Sequence, residues 1–200
     1  MQITLTNIGK RFNREWIFRH CSYEFHPGKT YAITGANGSG KSTLLQVIAG
    51  SLLHNEGTVT YSNTSSDQFY RYLSIAAPYL ELIEEMTAME FLHFHAQFKS
   101  FDLPPEEMLR LVGLADAAGK QVRYFSSGMK QRLKLAQAFF SSTPVLLLDE
   151  PTTNLDEAGI ALYHQLINDH AQGKLIIVSS NDRQEYDFCG EVIAIGDYKS

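Results

Sequence analysis

The stretch Gly35-Ala36-Asn37-Gly38-Ser39-Gly40-Lys41-Ser42 decides how the rest of the chain is read. It fits the spacing Gly, four residues, Gly-Lys-Ser/Thr. Gly35, Gly38 and Gly40 permit backbone angles and a close approach that a side chain would block. The N–H groups of such a loop converge on the β- and γ-phosphates of a nucleotide. Lys41 brings a positive charge to the phosphate oxygens and Ser42 a hydroxyl for Mg2+. The helix that opens there adds its positive dipole end. The pattern requires a strand before it and a helix after it. Tyr31-Ala32-Ile33-Thr34 is a short apolar strand. Ser42 to Ala49 carries Leu44, Leu45, Val47, Ile48 and Ala49, a buried helix that Gly50 ends. A bound nucleotide is the first expectation.

Upstream, Ile3-Thr4-Leu5 alternates, and Cys21, Tyr23 and Phe25 oppose Ser22, Glu24 and His26 with the period of a half-buried strand. Pro27-Gly28-Lys29 reads as a turn and Gly57-Thr58-Val59-Thr60-Tyr61 as an edge strand. The middle of the chain reads as helical. Thr87 is an N-cap with Glu90 as its capping-box partner, followed by Phe91, Leu92, Phe94 and Phe98 at near-helical spacing, read as helical core or, for some of them, as an exposed patch that docks a membrane partner. Pro104-Pro105-Glu106 opens a second helix, with Met108, Leu109 and Val112 inward and Gly113 closing it. Ser127 to Phe140 is a third, with Met129, Leu133, Leu135 and Ala136 inward. His93 and His95, two apart, do not share a helix face, so a metal pair is not expected.

Downstream, Val145-Leu146-Leu147-Leu148 and Leu175-Ile176-Ile177-Val178 are all-apolar runs, as in parallel strands covered on both faces. The helix Glu157 to His170 lies between them. The predicted fold is α/β: a P-loop NTPase core with a mostly parallel sheet, an antiparallel β edge subdomain and an inserted helical subdomain. One domain spans 1–200, with its core at about 1–78 and 141–200 and the helical part at about 79–140.

Asp149 and Glu150 place two carboxylates at the end of the first buried run. A capping acid would look the same in isolation. Beside a phosphate loop, Asp149 is placed to hold Mg2+ and Glu150 to orient or deprotonate an attacking water.

With these residues in view, the chain resembles the ATP-binding subunits of ABC (ATP-binding cassette) transporters over essentially its whole length. Tyr124-Phe125-Ser126-Ser127-Gly128-Met129-Lys130-Gln131-Arg132 is similar to the family signature Leu-Ser-Gly-Gly-Gln and its basic helix start. It lies between the phosphate loop and the acidic strand, where the family places it. Pro151-Thr152-Thr153-Asn154-Leu155-Asp156 resembles the D-loop. The resemblance implies two cassettes closing head to tail around two ATP molecules. One chain would supply Lys41, Ser42, Asp149 and Glu150, and the other Ser126 and Gly128; Thr43 and the D-loop acid Asp156 are also implied as nucleotide-binding. It implies ATP and Mg2+ as cofactors. It implies an aromatic ring stacked on adenine, with Phe12 at that position and Trp16 as the alternative. The implied partners are integral membrane subunits and a second cassette chain. The implied location is cytoplasmic, peripheral on the membrane through those subunits.

Three positions depart from the family. The signature reads Phe-Ser-Ser-Gly-Met, retaining Ser126 and Gly128. Ala76 stands after the strand Tyr72 to Ile75, where the family has a glutamine. Asn181 stands after the last core strand, where the family has a histidine. An amide donates a hydrogen bond but shuttles no proton. ATP binding is expected to survive and hydrolysis to be slow.

Composition fits this reading. The 200 residues are 44% hydrophobic and 20% charged, an ordinary globular balance. Against 22 acidic residues stand 17 Lys and Arg, a net charge of −5, so no basic face points to nucleic acid. Cys21 and Cys189 are too few for a disulfide scaffold. No leader peptide or spanning helix is read, so no direct membrane insertion is expected. A nucleotide kinase would need an arginine-rich lid where the signature stands. Two alternatives remain: a soluble, non-transport ABC ATPase with a regulatory or mechanical role, and a hydrolysis-poor, ATP-holding subunit of an asymmetric pair. The compact length and the segment Glu85 to Glu90 resemble small export-type subunits, including that of the haem exporter of cytochrome c maturation.

Overall fold

The structure is a computed structural model and describes residues 1–199. The chain divides into two compact units. One comprises Met1–Leu73, Pro144–Asp149 and the chain from Gly173 onward; the other comprises Ser74–Thr143 and Glu150–Gln172.

The first unit contains an antiparallel sheet of β1 (Ile3–Phe12), β2 (Glu15–Phe25) and β4 (Glu56–Tyr61), in the order β2-β1-β4. Sequence alternation shows only the ends of β1 and β2. The hidden part is irregular: the β1–β2 register shifts between Leu5 and Ile8 and again around Lys10, and Asn7 takes φ +52. Each shift restarts the in–out alternation, so Ile8, Gly9 and Lys10 are buried consecutively. Asn13, at φ +55, turns β1 into β2. Phe25 and Tyr31 pack edge to face at 5.0 Å beneath this sheet.

The second sheet is five-stranded, with β5 (Leu73–Ala76), β6 (Val145–Asp149), β7 (Leu175–Ser179), β3 (Thr30–Thr34) and β8 (Glu191–Ala194) in the order β5-β6-β7-β3-β8. The pairs β6–β7, β7–β3 and β3–β8 are parallel. All five residues of β6 and of β7 are buried, as the unbroken apolar runs require. Helix α1 (Lys41–Ile48) packs on β6 and β7 through Leu44, Leu45, Val47 and Ile48. The loop from β3 to α1 therefore leaves the carboxyl end of a central strand, between β7 and β8.

The second unit is helical: α2 (Ala88–Ala96), α3 (Pro105–Leu111), α4 (Ser127–Phe139) and α5 (Glu157–His170). The Thr87–Glu90 capping box is formed in both directions. The aromatic run of α2 is only partly core. Phe91 and Leu92 are buried, but Phe94 and Phe98 are exposed and pack edge to face on each other at 5.2 Å. His95 stacks between the rings of Phe91 and Phe101, where burial lowers its pKa to about 4, helped by Lys99. On α4, Met129 is only half-buried, and the polar Gln131 takes a buried place. No helix among the described residues is long and apolar enough to cross a membrane.

Candidate nucleotide site

In the first unit, Gly35 has φ +151 and Gly40, the residue capping α1, has φ +105. Side chains are excluded at both. A Cβ on Gly35 would lie 2.7 Å from Ile195 Cγ2 and from Ser39 Oγ, and one on Gly40 would lie 2.4 Å from Ile17 Cγ2. The loop is drawn tight over β2 and the chain's C-terminal segment, which forces its amides toward the helix entrance. Ala36, Asn37 and Gly38 form the exposed rim, closed by Ser39 N–H donating to the Ala36 carbonyl at 3.0 Å.

Lys41 is 4% exposed. Its ammonium donates to the carbonyls of Gly35 at 2.9 Å and Ala36 at 3.2 Å. The charge is thus kept inside the curl of the loop at the positive end of α1, a constellation that attracts anions. Ser39 Oγ, beside it, is buried with no hydrogen-bond partner. Tight glycines, a buried cation and an orphaned hydroxyl fit a polyphosphate. Ser42 and Thr43 stand half-buried at the first turn of α1, and Asp149, 1% exposed, ends β6. Their oxygens are the hard donors that Mg2+ takes. Among the described residues no cluster of His, Cys, Asp or Glu offers an alternative metal site.

Phe12, at the tip of the β1–β2 hairpin, is 47% exposed and is not a core ring. Trp16, across the hairpin, is already covered: Arg19 lies 4.3 Å and Arg11 5.3 Å from its ring. Asn181 is exposed in the turn after β7, where Ser180 N–H bonds the Ile33 carbonyl and Ser180 Oγ accepts from Asp182 N–H at 2.9 Å.

In the second unit, Glu150 has φ +43, an uncommon backbone for a residue with a side chain. Ser126 caps α4, accepting from Met129 N–H at 3.2 Å. A Cβ on Gly128 would fit tightly, 3.1 Å from the Asn154 carbonyl. Asp156 caps α5 through Gly159 N–H at 2.9 Å and pairs with Arg132 at 3.2 Å. An open groove of 690 Å3 runs past Ser126, Gly128, Arg132, Asn154 and Asp156. The signature and the D-loop segment therefore share one surface. Ala76 is fully buried at the end of β5 and presents no polar group; Lys134 donates instead to the carbonyls of Ala77 and Pro78.

Two buried polar residues, one in each unit, escape sequence reading. Lys10 is buried behind Phe12, in the stretch where β1 loses its alternation. Gln131 is buried on α4; its spacing of four from Leu135 and eight from Phe139 could have placed it on the inward face.

A glycine-tight phosphate loop between a parallel strand and a helix, with an acid ending another strand of the same sheet, defines a P-loop nucleoside-triphosphatase. The chain belongs to the ABC transporter family, whose model matches residues 18–153, and is an ATP-binding, ATPase subunit of that family. It is 31% identical over 189 residues to the ABC transporter ATP-binding protein YybJ of Bacillus subtilis, covering 92% of this chain and 87% of that one. It is 35% identical over 168 residues to the cytochrome c biogenesis ATP-binding export protein CcmA of Xylella fastidiosa, covering 80% and 75%. The fold is that of MJ0796, a bacterial ABC transporter cassette, with TM-score 0.81 and 24% identity over 97% of this chain and 95% of that one. The sequence-based fold class and family hold, the family excludes the kinase reading, and the matches favour a transporter subunit over the non-transport alternative.

Proposed function

We propose that this chain binds Mg-ATP at Gly35–Thr43 and hydrolyses it slowly in a head-to-tail pair with a second cassette, driving integral membrane subunits from the cytoplasmic face. The observation that carries this is the buried Lys41 ammonium, held on loop carbonyls at 2.9 and 3.2 Å at the entrance of α1. A polyphosphate replaces those carbonyls with charged oxygens, a stronger pairing. Residues 1–200 act as one cassette, with 79–140 as its helical part.

The loop amides and Lys41 bind the β- and γ-phosphates, and Phe12 stacks on the base. Ser42 and Asp149 would hold Mg2+, which neutralises charge on the phosphates when bound. Glu150 accepts the proton of the water that attacks the γ-phosphorus, and ADP leaves. Ser126 and the α4 amides around Gly128, from the second chain, contact the γ-phosphate. Asp156 acts through the D-loop it ends, its carboxylate being committed to Gly159 and Arg132. Slow turnover follows from Ala76 and Asn181, which offer no glutamine amide and no imidazole.

Several matched relatives, among them those from Xylella fastidiosa and Agrobacterium fabrum, carry the name of export proteins, and this supports an exporter as the assembly served. Copurification tests the reading. The tagged chain, extracted from membranes of its own cell, should bring down an integral membrane protein. Recovery without one, with ATP binding intact, would overturn the transporter assignment and leave the ATPase standing.

A further inference from the structure

Lys10 is a lysine that hydrolysis does not use, yet it is only 8% exposed. Burying an ammonium is costly unless its charge is met. No ion pair of the described residues includes it. Two neutral groups meet it instead. Its Nζ donates to the Leu53 carbonyl at 2.7 Å and lies 4.9 Å from the centre of the Phe12 ring. The second distance is within the range of cation–π attraction.

The place of this pair matters. Lys10 is opposite Phe18 on β2. Phe18 and its neighbour Ile17 are the side chains that close on Gly40, whose Cβ would lie 3.6 Å from Phe18 Cδ1 and 2.4 Å from Ile17 Cγ2. The hairpin that carries Lys10 and Phe12 therefore rests on the phosphate loop within the same unit. Phe12 stands at its tip, 47% exposed, with a cation on the inner side.

We propose that Lys10 is a positioning residue for the nucleotide base, acting through Phe12; this rests on Phe12 being the stacking ring. The ammonium holds the ring by its electron-rich face, so little rotational freedom remains to be lost when a base stacks. It also draws π density inward, leaving the outer face better matched to an electron-rich purine. Trp16 lacks this arrangement, because Arg11 and Arg19 already cover it.

The test is calorimetric titration of wild type, Lys10→Met, Lys10→Gln, Phe12→Ala and the double variant Lys10→Met/Phe12→Ala, with ATP and with inorganic tripolyphosphate, which has no base. Lys10→Met should weaken ATP about three- to tenfold and leave tripolyphosphate unchanged. Lys10→Gln can still donate to Leu53 but has no charge, and should weaken ATP equally; it carries the test if the methionine variant does not fold. The double variant should bind ATP no more weakly than Phe12→Ala alone. Wild-type ATP affinity in Lys10→Gln, equal loss of ATP and tripolyphosphate, or additive losses in the double variant would each overturn the role of Lys10. Unchanged ATP affinity in Phe12→Ala would overturn the stacking assignment itself.

Discussion

Gln131 Nε2 donates to the carbonyl of Pro151 at 2.7 Å, and both groups are buried. That carbonyl lies one residue past Glu150, whose backbone has φ +43. The same helix touches this loop twice more, at Gly128 against the Asn154 carbonyl and at Arg132 against Asp156. The exit from β6 is thus held by the helix that carries the signature. Removing the Gln131 amide leaves a buried carbonyl without its donor, at a cost of about 1–3 kcal/mol. Gln131→Leu should lower kcat by about tenfold with the KM for ATP unchanged, since the phosphate loop is untouched. Phosphate-release kinetics across ATP concentration check this; a raised KM at normal kcat would count against it.

Lys41→Ala should weaken Mg-ATP by about ten- to a hundredfold, the worth of a charge-assisted hydrogen bond. Equilibrium binding measures it. Unchanged affinity would remove the phosphate loop from the site.

Glu150→Gln should trap an ATP-dependent dimer. Without the carboxylate the γ-phosphate stays intact and bridges Lys41 of one chain and Ser126 of the other. Sedimentation with ATP should show the dimer and, without nucleotide, the monomer. No dimer at high protein concentration would count against the head-to-tail model, or would mean that the partner is a different cassette.

Asn181→His should raise turnover while ATP affinity stays nearly constant, because the added imidazole acts on the transition state. A single electrostatic contact of this kind is worth on the order of a hundredfold in rate. Asn181 is exposed in its turn, so the larger ring can be placed there without repacking. A wild type that turns over quickly, with a histidine variant no faster, would show that Asn181 is no handicap.

Two caps make stability depend on pH. The Gly159 N–H, and then Arg132, hold the Asp156 carboxyl below its ordinary range, and the Thr87 N–H and hydroxyl do the same for Glu90. A carboxyl whose pKa is lower when folded stabilises fully above its unfolded value, about 4, and loses that contribution as the pH falls through the folded value. Thermal midpoints should therefore drop below about pH 4, and Asp156→Asn should flatten part of the drop. An identical slope in the variant would remove Asp156 from the account.

What could be read from sequence was whatever local chemistry alone determines. The phosphate loop, the Thr87 capping box, the buried runs of β6 and β7 and the span of α5 each obey a short-range rule, and each lies where that rule places it. The inner half of the β1–β2 hairpin was not readable, because its register shifts break the alternation that marks a strand. Phe94 and Phe98 stayed ambiguous between core and exposed patch, because helical spacing does not tell which side of α2 its unit covers; both are exposed. Lys10 and Gln131 are polar residues in apolar places, and their partners are carbonyls 43 and 20 positions away. No local pattern announces such a pair. Ala76 and Asn181 were visible only as departures from a family pattern.

The irregular hairpin has one further consequence. Trp16 is the chain's single tryptophan. Two guanidinium groups lie 4.3 and 5.3 Å from its ring, and it stands immediately before Ile17, which presses on Gly40. All indole emission from this protein therefore comes from one spot beside the phosphate loop. The molecule has a built-in optical probe of its own nucleotide pocket, readable without a label and without a substitution.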